Sequence, residues 1–208
     1  MYTPTAFQQQ NIDTLVKFVE EHAFGTLITS GTPPAAAHIP MLIERGTGNQ
    51  LTILGHVAAQ NPLAACLDQV PVLAIFQGPH SYISPTWYGV QNSVPTWNYL
   101  TVHATGPARL IEDPQRLRSL IERTTEHFES QRENRWSLAS VDEAFVERLL
   151  TAIVGFEILV DMIEGQWKLS QNHSRERRER VVAGLRTTND QDALRIADLM
   201  EDRLHEEA

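Results

Sequence analysis

Apolar positions recur along this chain first at helical and then at strand spacing. In residues 4–23, Ile12, Leu15, Val16 and Val19 share one face while Asp13 and Glu20 point away, which predicts an amphipathic helix. Residues 24–30 then read as a strand. The turn Gly31-Thr32-Pro33-Pro34 leads into a second strand over residues 35–44. Gly46-Thr47-Gly48-Asn49 predicts a hairpin turn into a strand over residues 50–55. Asn61-Pro62 starts a helix with proline at its first position, and Leu63, Ala64 and Leu67 follow at helical spacing. Residues 70–76 are almost continuously apolar, the pattern of a strand buried on both faces.

Further on, residues 98–104 and 108–112 predict the two strands of a hairpin bent at Gly106-Pro107. Asp113-Pro114 caps a helix that carries Leu117, Leu120, Ile121 and Phe128 on one face. Ser140-Val141-Asp142-Glu143 has the capping-box pattern and opens another helix through Leu150. Val154, Phe156, Ile158, Val160 and Met162 alternate with other residues as in a final strand. Residues 165–173 read as a loop and residues 174–185 as a charged helix. Asn189-Asp190 caps a last helix with Ala193, Ile196, Ala197, Met200 and Leu204 apolar.

Many short strands with few long helices between them predict a mainly β fold with helices, an antiparallel sheet closing into a barrel. The expected organisation is a barrel domain with peripheral helices over residues 1–164. A C-terminal loop and helical hairpin over residues 165–208 would pack on it.

Composition narrows the function classes. With 208 residues, 42% hydrophobic and 21% charged, the chain can bury one sizeable core. Cys66 is the single cysteine, so no internal disulfide forms; a start at Met1-Tyr2-Thr3-Pro4 without a leader pattern adds the expectation of a cytoplasmic location. No apolar run approaches the roughly 18–20 residues of a membrane span. A net charge of −9 sets most of the surface against nucleic acid. The one basic concentration, Arg175-Glu176-Arg177-Arg178-Glu179-Arg180, reads as a solvated helix face of alternating sign, with DNA contact as the alternative. No helix-turn-helix pattern accompanies it, and Glu201, Asp202, Glu206 and Glu207 nearby would repel phosphates. The histidines form no closely spaced pair with acidic support, so no metal site is expected. Without a Gly-x-Ser-x-Gly elbow or a placed acid or base, no catalytic residue is predicted.

Residues 76–99 hold two of the four tryptophans and three of the four tyrosines, each worth about 1.5–3 kcal/mol when buried. A stretch of that kind packs on its own domain, on a second subunit or on a planar ligand.

That stretch, with Gly78-Pro79-His80-Ser81-Tyr82-Ile83-Ser84-Pro85-Thr86-Trp87-Tyr88 and Val94-Pro95-Thr96-Trp97-Asn98-Tyr99, is followed much later by Gly165-Gln166-Trp167-Lys168-Leu169-Ser170-Gln171-Asn172. Together they resemble the signature of the PaiB-like negative transcriptional regulators, a family assigned to the FMN-binding split-barrel superfamily. The resemblance implies a split β-barrel of the FMN-binding type with a C-terminal helical hairpin. It implies a homodimer with FMN, or another flat small molecule, in grooves at the interface, and a role in negative transcriptional regulation with DNA as a partner. The same fold is shared with pyridoxamine phosphate oxidases, flavin reductases and haem-degrading proteins. A flavin-dependent oxidoreductase and a haem-binding relative therefore stay open as alternatives.

The resemblance also points to residues. Split-barrel flavoproteins place the FMN phosphate near residues 55–62, where His56, Gln60 and Asn61 can donate hydrogen bonds; the other reading is a plain strand-to-helix connection with Asn61 as cap. Ala58 and Ala59 stand where relatives usually offer Arg or Lys. His38 would face the same groove from inside the barrel, or be structural. His80 would line the ligand groove or steady its own loop. Trp97 and Asn98 match the strand with which a partner subunit reaches the flavin, Trp97 alternatively being an interface anchor. Lys168 matches a loop that closes over the cofactor, or snorkels over an apolar surface.

Overall fold

The alternation that begins at residue 24 becomes a set of strands in the computed structural model, which describes residues 1–31 and 33–206. The turn expected at residues 31–34 and the acidic Glu207 include positions outside the described residues. In chain order the strands are β1 (Gln8–Gln9), β2 (Phe24–Thr29), β3 (Ala35–Arg45), β4 (Leu51–Ala58), β5 (Pro71–Ile83), β6 (Thr96–Ile111), β7 (Ile153–Leu159) and β8 (Met162–Lys168). The helices are α1 (Ile12–Glu21), α2 (Pro114–Glu129), α3 (Glu143–Leu150), α4 (Arg175–Arg186) and α5 (Gln191–Glu206). Packing divides the chain into two compact units. One holds Met1–Leu15, Gln77–Val102 and Glu164–Ala208; the other holds Val16–Phe76 and His103–Ile163. The C-terminal segment expected from residue 165 thus shares its unit with two earlier stretches of chain.

The second unit is the barrel. Its strands follow the order β6-β5-β2-β3-β4-β7, and β7 also pairs with β6, which closes the ring. Antiparallel registers such as Thr26↔His38, Thr26↔Ile75, His56↔Gly155 and Ala108↔Ile158 set one side chain in every two inward. Leu27, Met41, Ile53, Phe76, Phe156 and Ile158 are fully buried as a result. Outside the ring, Leu120 of α2, with Leu117 beside it, packs on Leu42, Leu54 and Ile111. Arg118 fastens α3 to α2, donating to Glu143 at 2.6 and 2.9 Å and to Glu147 at 3.0 Å.

The first unit has strand order β1-β8-β6-β5. Helices α4 and α5 pair: the apolar positions foreseen on α5, Ala193, Ile196, Ala197, Met200 and Leu204, are all buried, and so are Val181 and Leu185 of α4. Trp87 lies against α4 at Gly184, where an added Cβ would come within 2.4 Å of the indole.

Several local expectations are corrected. The first helix begins at Ile12, not residue 4: Asn11 Oδ1 accepts from Thr14 N at 3.0 Å, and a 3₁₀ turn Thr5–Phe7 and β1 precede it. The helix expected at Pro62 is a 3₁₀ turn, Pro62–Cys66. Residues 71–76 are not buried on both faces but alternate, because a barrel covers its inner face more completely than its outer one. The aromatic stretch over residues 76–99 is shared between two strands, since β5 runs to Ile83 and β6 begins at Thr96. Gly106-Pro107 does not form a hairpin. β6 continues through it because the bonding groups on either side keep their partners: Asp161 N donates to Thr105 O at 2.9 Å, and Ala108 N to Val70 O at 2.9 Å, so the missing proline N–H goes unneeded. Asp142, not Ser140, caps α3, accepting from Phe145 N at 3.0 Å. The last alternation is split at residues 160–161 into β7 and β8, so residues 165–168 are strand where a loop was expected.

Candidate functional site

Eight positions were expected at the site, four in each unit. In the barrel unit His38 is exposed, opposite to the buried Ala37 and outside the barrel, not inside it; its Nδ1 lies 2.9 Å from Thr26 Oγ1. Asn61 caps its own 3₁₀ turn, Oδ1 accepting from Leu63 N at 3.0 Å. The nearby amides are also committed: Ala59 N donates to Ala152 O at 2.8 Å, Asn61 N to Ala58 O at 2.9 Å and Ala64 N to Asn61 O at 2.9 Å. Gln60 is exposed. With those amides taken and alanine at 58 and 59, this turn offers an incoming phosphate no cation of its own. His56 lies apart from Gln60 and Asn61 in its surroundings, lining an apolar cavity with side chains of α2 and α3.

In the other unit the strand period separates Trp97 from Asn98. Trp97 is 51% exposed and Asn98 fully buried. Trp97 shares its face with Tyr82 and His80, at ring-centroid distances of 5.9 and 6.2 Å, and His80 Nδ1 lies 3.3 Å from Asp192 Oδ2. Asn98 exchanges hydrogen bonds with Ser170, its Nδ2 at 3.1 Å and its Oδ1 at 3.2 Å from the hydroxyl.

Asn98 and Lys168 come together on a cavity of about 380 Å³, which also draws in Tyr88, His173 and Arg177. The volume is within the range of small-molecule sites. Lys168 Nζ donates to Thr96 Oγ1 at 2.5 Å and stands 6.0 Å from the Tyr99 ring. The Arg177 guanidinium stacks 4.1 Å over the ring of Tyr88, and its Nη1 lies 3.3 Å from His173 Nδ1. Arg177 Nε is buried without a hydrogen-bond partner. Among the described residues no carboxylate lines the cavity or pairs with Lys168 or Arg177. Burial pulls the Lys168 ammonium below its ordinary range; burial, then Arg177, then Lys168 pull His173 down. Two cations held near each other without a counter-charge, beside a tyrosine face, can hold a planar anion.

Arg177, His173 and Tyr88 were missed as site residues. Arg177 was hidden in a run whose other members are spent inside the unit: Arg175 bonds Glu179 and Leu204 O, Arg180 bonds Glu176, and Arg178 is buried. The available signal was the four-residue spacing of His173 and Arg177, which puts both on one side of a helix start.

Because His56 and His173 are both held below the ordinary 6.5, the unfolded chain takes up protons first as pH falls. Stability is therefore full above about pH 6.5 and declines beneath it. The urea midpoint is expected to drop between about pH 7.5 and pH 5.5, with a shallower slope in His56→Leu. Identical slopes in variant and parent would remove His56 as a cause.

The closed six-strand ring with its added helices is the split-barrel architecture found in flavoproteins. By shape the chain is similar to the FAD and heme binding protein of Mycobacterium smegmatis (TM-score 0.61, 14% identity, covering 85% of this chain and 80% of that one). It is also similar to the flavocytochrome Anf3 of Azotobacter vinelandii (TM-score 0.60, 10% identity, covering 77% and 69%). At that identity the likeness is one of fold. In sequence, residues 1–162 match the family model described as "Putative FMN-binding domain". The chain is 37% identical over 212 residues to the "Protease synthase and sporulation protein PAI 2" of Bacillus subtilis (strain 168), covering 98% of both. This chain belongs to that FMN-binding-domain family, in its PaiB-like branch. Among the described residues no helix is long and apolar enough to cross a membrane.

Proposed function

We propose that this chain is a cytoplasmic, homodimeric PaiB-like regulatory protein that holds FMN, or a related flat anionic molecule, and acts in negative transcriptional regulation. The observation that carries the ligand is the uncompensated pair of Lys168 and Arg177 on a cavity faced by Tyr88. Those two cations would take the phosphate, and Tyr88 and Asn98 would bound the rest. When bound, FMN supplies a flat ring capable of redox chemistry; the chain's part is to orient it and shield it from water. The half-exposed Tyr82 and Trp97, with His80 beside them, support pairing with a second copy, because exposed aromatics of this size are characteristic interface anchors. With Arg175, Arg180 and Arg186 paired to carboxylates and Arg177 turned to the cavity, the charged face of α4 does not favour direct DNA contact. Regulation through another protein fits the net charge of −9 better.

The test is the visible spectrum of the purified protein after incubation with FMN and removal of the excess, with its mass in solution measured alongside. Retained flavin in a particle of twice the chain mass is expected. A flavin-free protein would sink the ligand reading, and a monomer the dimer. Steady oxidation of a reduced nicotinamide by the flavin-loaded protein would move the assignment to an oxidoreductase.

A further inference from the structure

In the barrel unit, apart from the cationic cavity, α2 and α3 roof a second cavity of about 370 Å³ over β4 and β7. Its walls are apolar: Ile121, Leu138, Val146, Leu150 and Ile153 line it. Trp136 and Phe145 also line it and remain 49% and 41% exposed. Among the described residues neither Asp, Glu, Lys nor Arg contributes. Among the described residues His56 is the one titratable side chain on the cavity, and its Nδ1 is buried with no hydrogen-bond partner. The hydroxyl proton of Thr124, another lining residue, is already given to Leu120 O at 2.7 Å. The cavity is not closed by collapse, because Arg118 holds α3 on α2 through Glu143 and Glu147 on the solvent side.

The chemistry of a fitting occupant follows. A full charge would lose its hydration without finding a counter-charge, so the molecule is uncharged. Rings at Trp136 and Phe145 favour a flat aromatic body over a flexible chain. A buried N–H left without an acceptor is rarer in folded proteins than a buried acceptor left without a donor. The sealed Nδ1 therefore stays unprotonated, and the ring's proton sits on Nε2, where it can be donated to an occupant. Burial also holds the ring neutral. A volume at the lower end of the range for ligand sites limits the molecule to a small one. We propose that this cavity binds a small uncharged aromatic molecule with one carbonyl-type oxygen, which accepts a hydrogen bond from His56 while Trp136 and Phe145 flank its ring. This site is separate from the flavin reading and does not rest on it.

The neutral naphthyl ketone prodan has this chemistry, and its emission reports a hydrogen bond to its carbonyl. With the full chain, saturable binding is expected, unaffected by excess FMN. His56→Leu should weaken it about tenfold and shift the bound emission to the blue. His56→Gln, which keeps an N–H donor, should restore much of both. Leu149→Trp, at a lining position 51% exposed and hence tolerant of bulk, should block binding without altering the urea midpoint. Absence of saturable binding overturns the proposal, as does equal affinity and emission in parent and His56→Leu. Displacement of prodan by FMN would return the cavity to the flavin and overturn its separateness, leaving the test of Lys168 and Arg177 unaffected.

Discussion

Lys168→Met combined with Arg177→Met is expected to weaken FMN binding by at least about a hundredfold, and each single change by about tenfold, because a hydrogen bond to a charged group contributes about 1.5–3 kcal/mol. The two side chains are the cations of a cavity that lacks a carboxylate among the described residues. They repay their own burial only when an anion arrives. Without one, the pair is a local strain: burial pulls Lys168 down, and burial together with the Arg177 and Lys168 charges pulls His173 down. The double variant should therefore unfold at an equal or higher urea concentration while losing ligand, a combination that a merely structural role does not produce. Arg177→Lys should fall between parent and Arg177→Met. It keeps the charge and gives up the flat stacking on Tyr88, now at 4.1 Å. An unchanged dissociation constant for FMN in the double variant would exclude this cavity as the phosphate site.

Gly106→Val is expected to cost about 3 kcal/mol or more of stability, with loss of soluble protein an acceptable extreme. A Cβ at this position would lie 1.9 Å from Leu159 O, 2.8 Å from Leu159 C and 3.2 Å from Asp161 N. All three are backbone atoms and no rotamer relieves them. The chain yields only by parting β6 from the end of β7, where the ring is closed and where Asp161 N donates to Thr105 O. A urea midpoint close to that of the parent, corresponding to less than about 1 kcal/mol, would show that the ring tolerates opening there.

Much of the fold was legible because its determinants are local. Strand-like stretches bounded by turn residues marked β2 and β3, alternation of apolar side chains marked β7, and Asp113 and the pair Asn189-Asp190 marked helix starts that the structure keeps. The apolar set of α5 is buried as read. The errors fell where a local signal competed with a partner distant in sequence. Gly106-Pro107 looks like a turn, yet bonds to residues near 70 and 161 carry the strand straight through it. The residues after Gly165 look like a loop, yet β1 and β6 recruit them as β8.

The candidate site divides the same way. Residue types were readable: a lysine beside a tryptophan, a histidine after a strand, an asparagine within an aromatic run. Their directions were not. Period two alone could warn that Trp97 and Asn98 face opposite ways, but which face meets Ser170 depends on the pairing of β6 with β8. His56 reads as a loop-edge donor and stands instead beneath α2 and α3, because β4 turns that face toward the helices. Arg177 belongs by pattern to a solvated helix and is diverted by Tyr88, eighty-nine positions earlier. Family, strand period and helix caps are thus written in the order of the residues, since they rest on near neighbours and on the backbone's own geometry. The two cavities and their charge balance arise from pairings between segments far apart in the chain, and those are settled by which packing buries the most apolar surface while leaving the fewest polar groups unpaired.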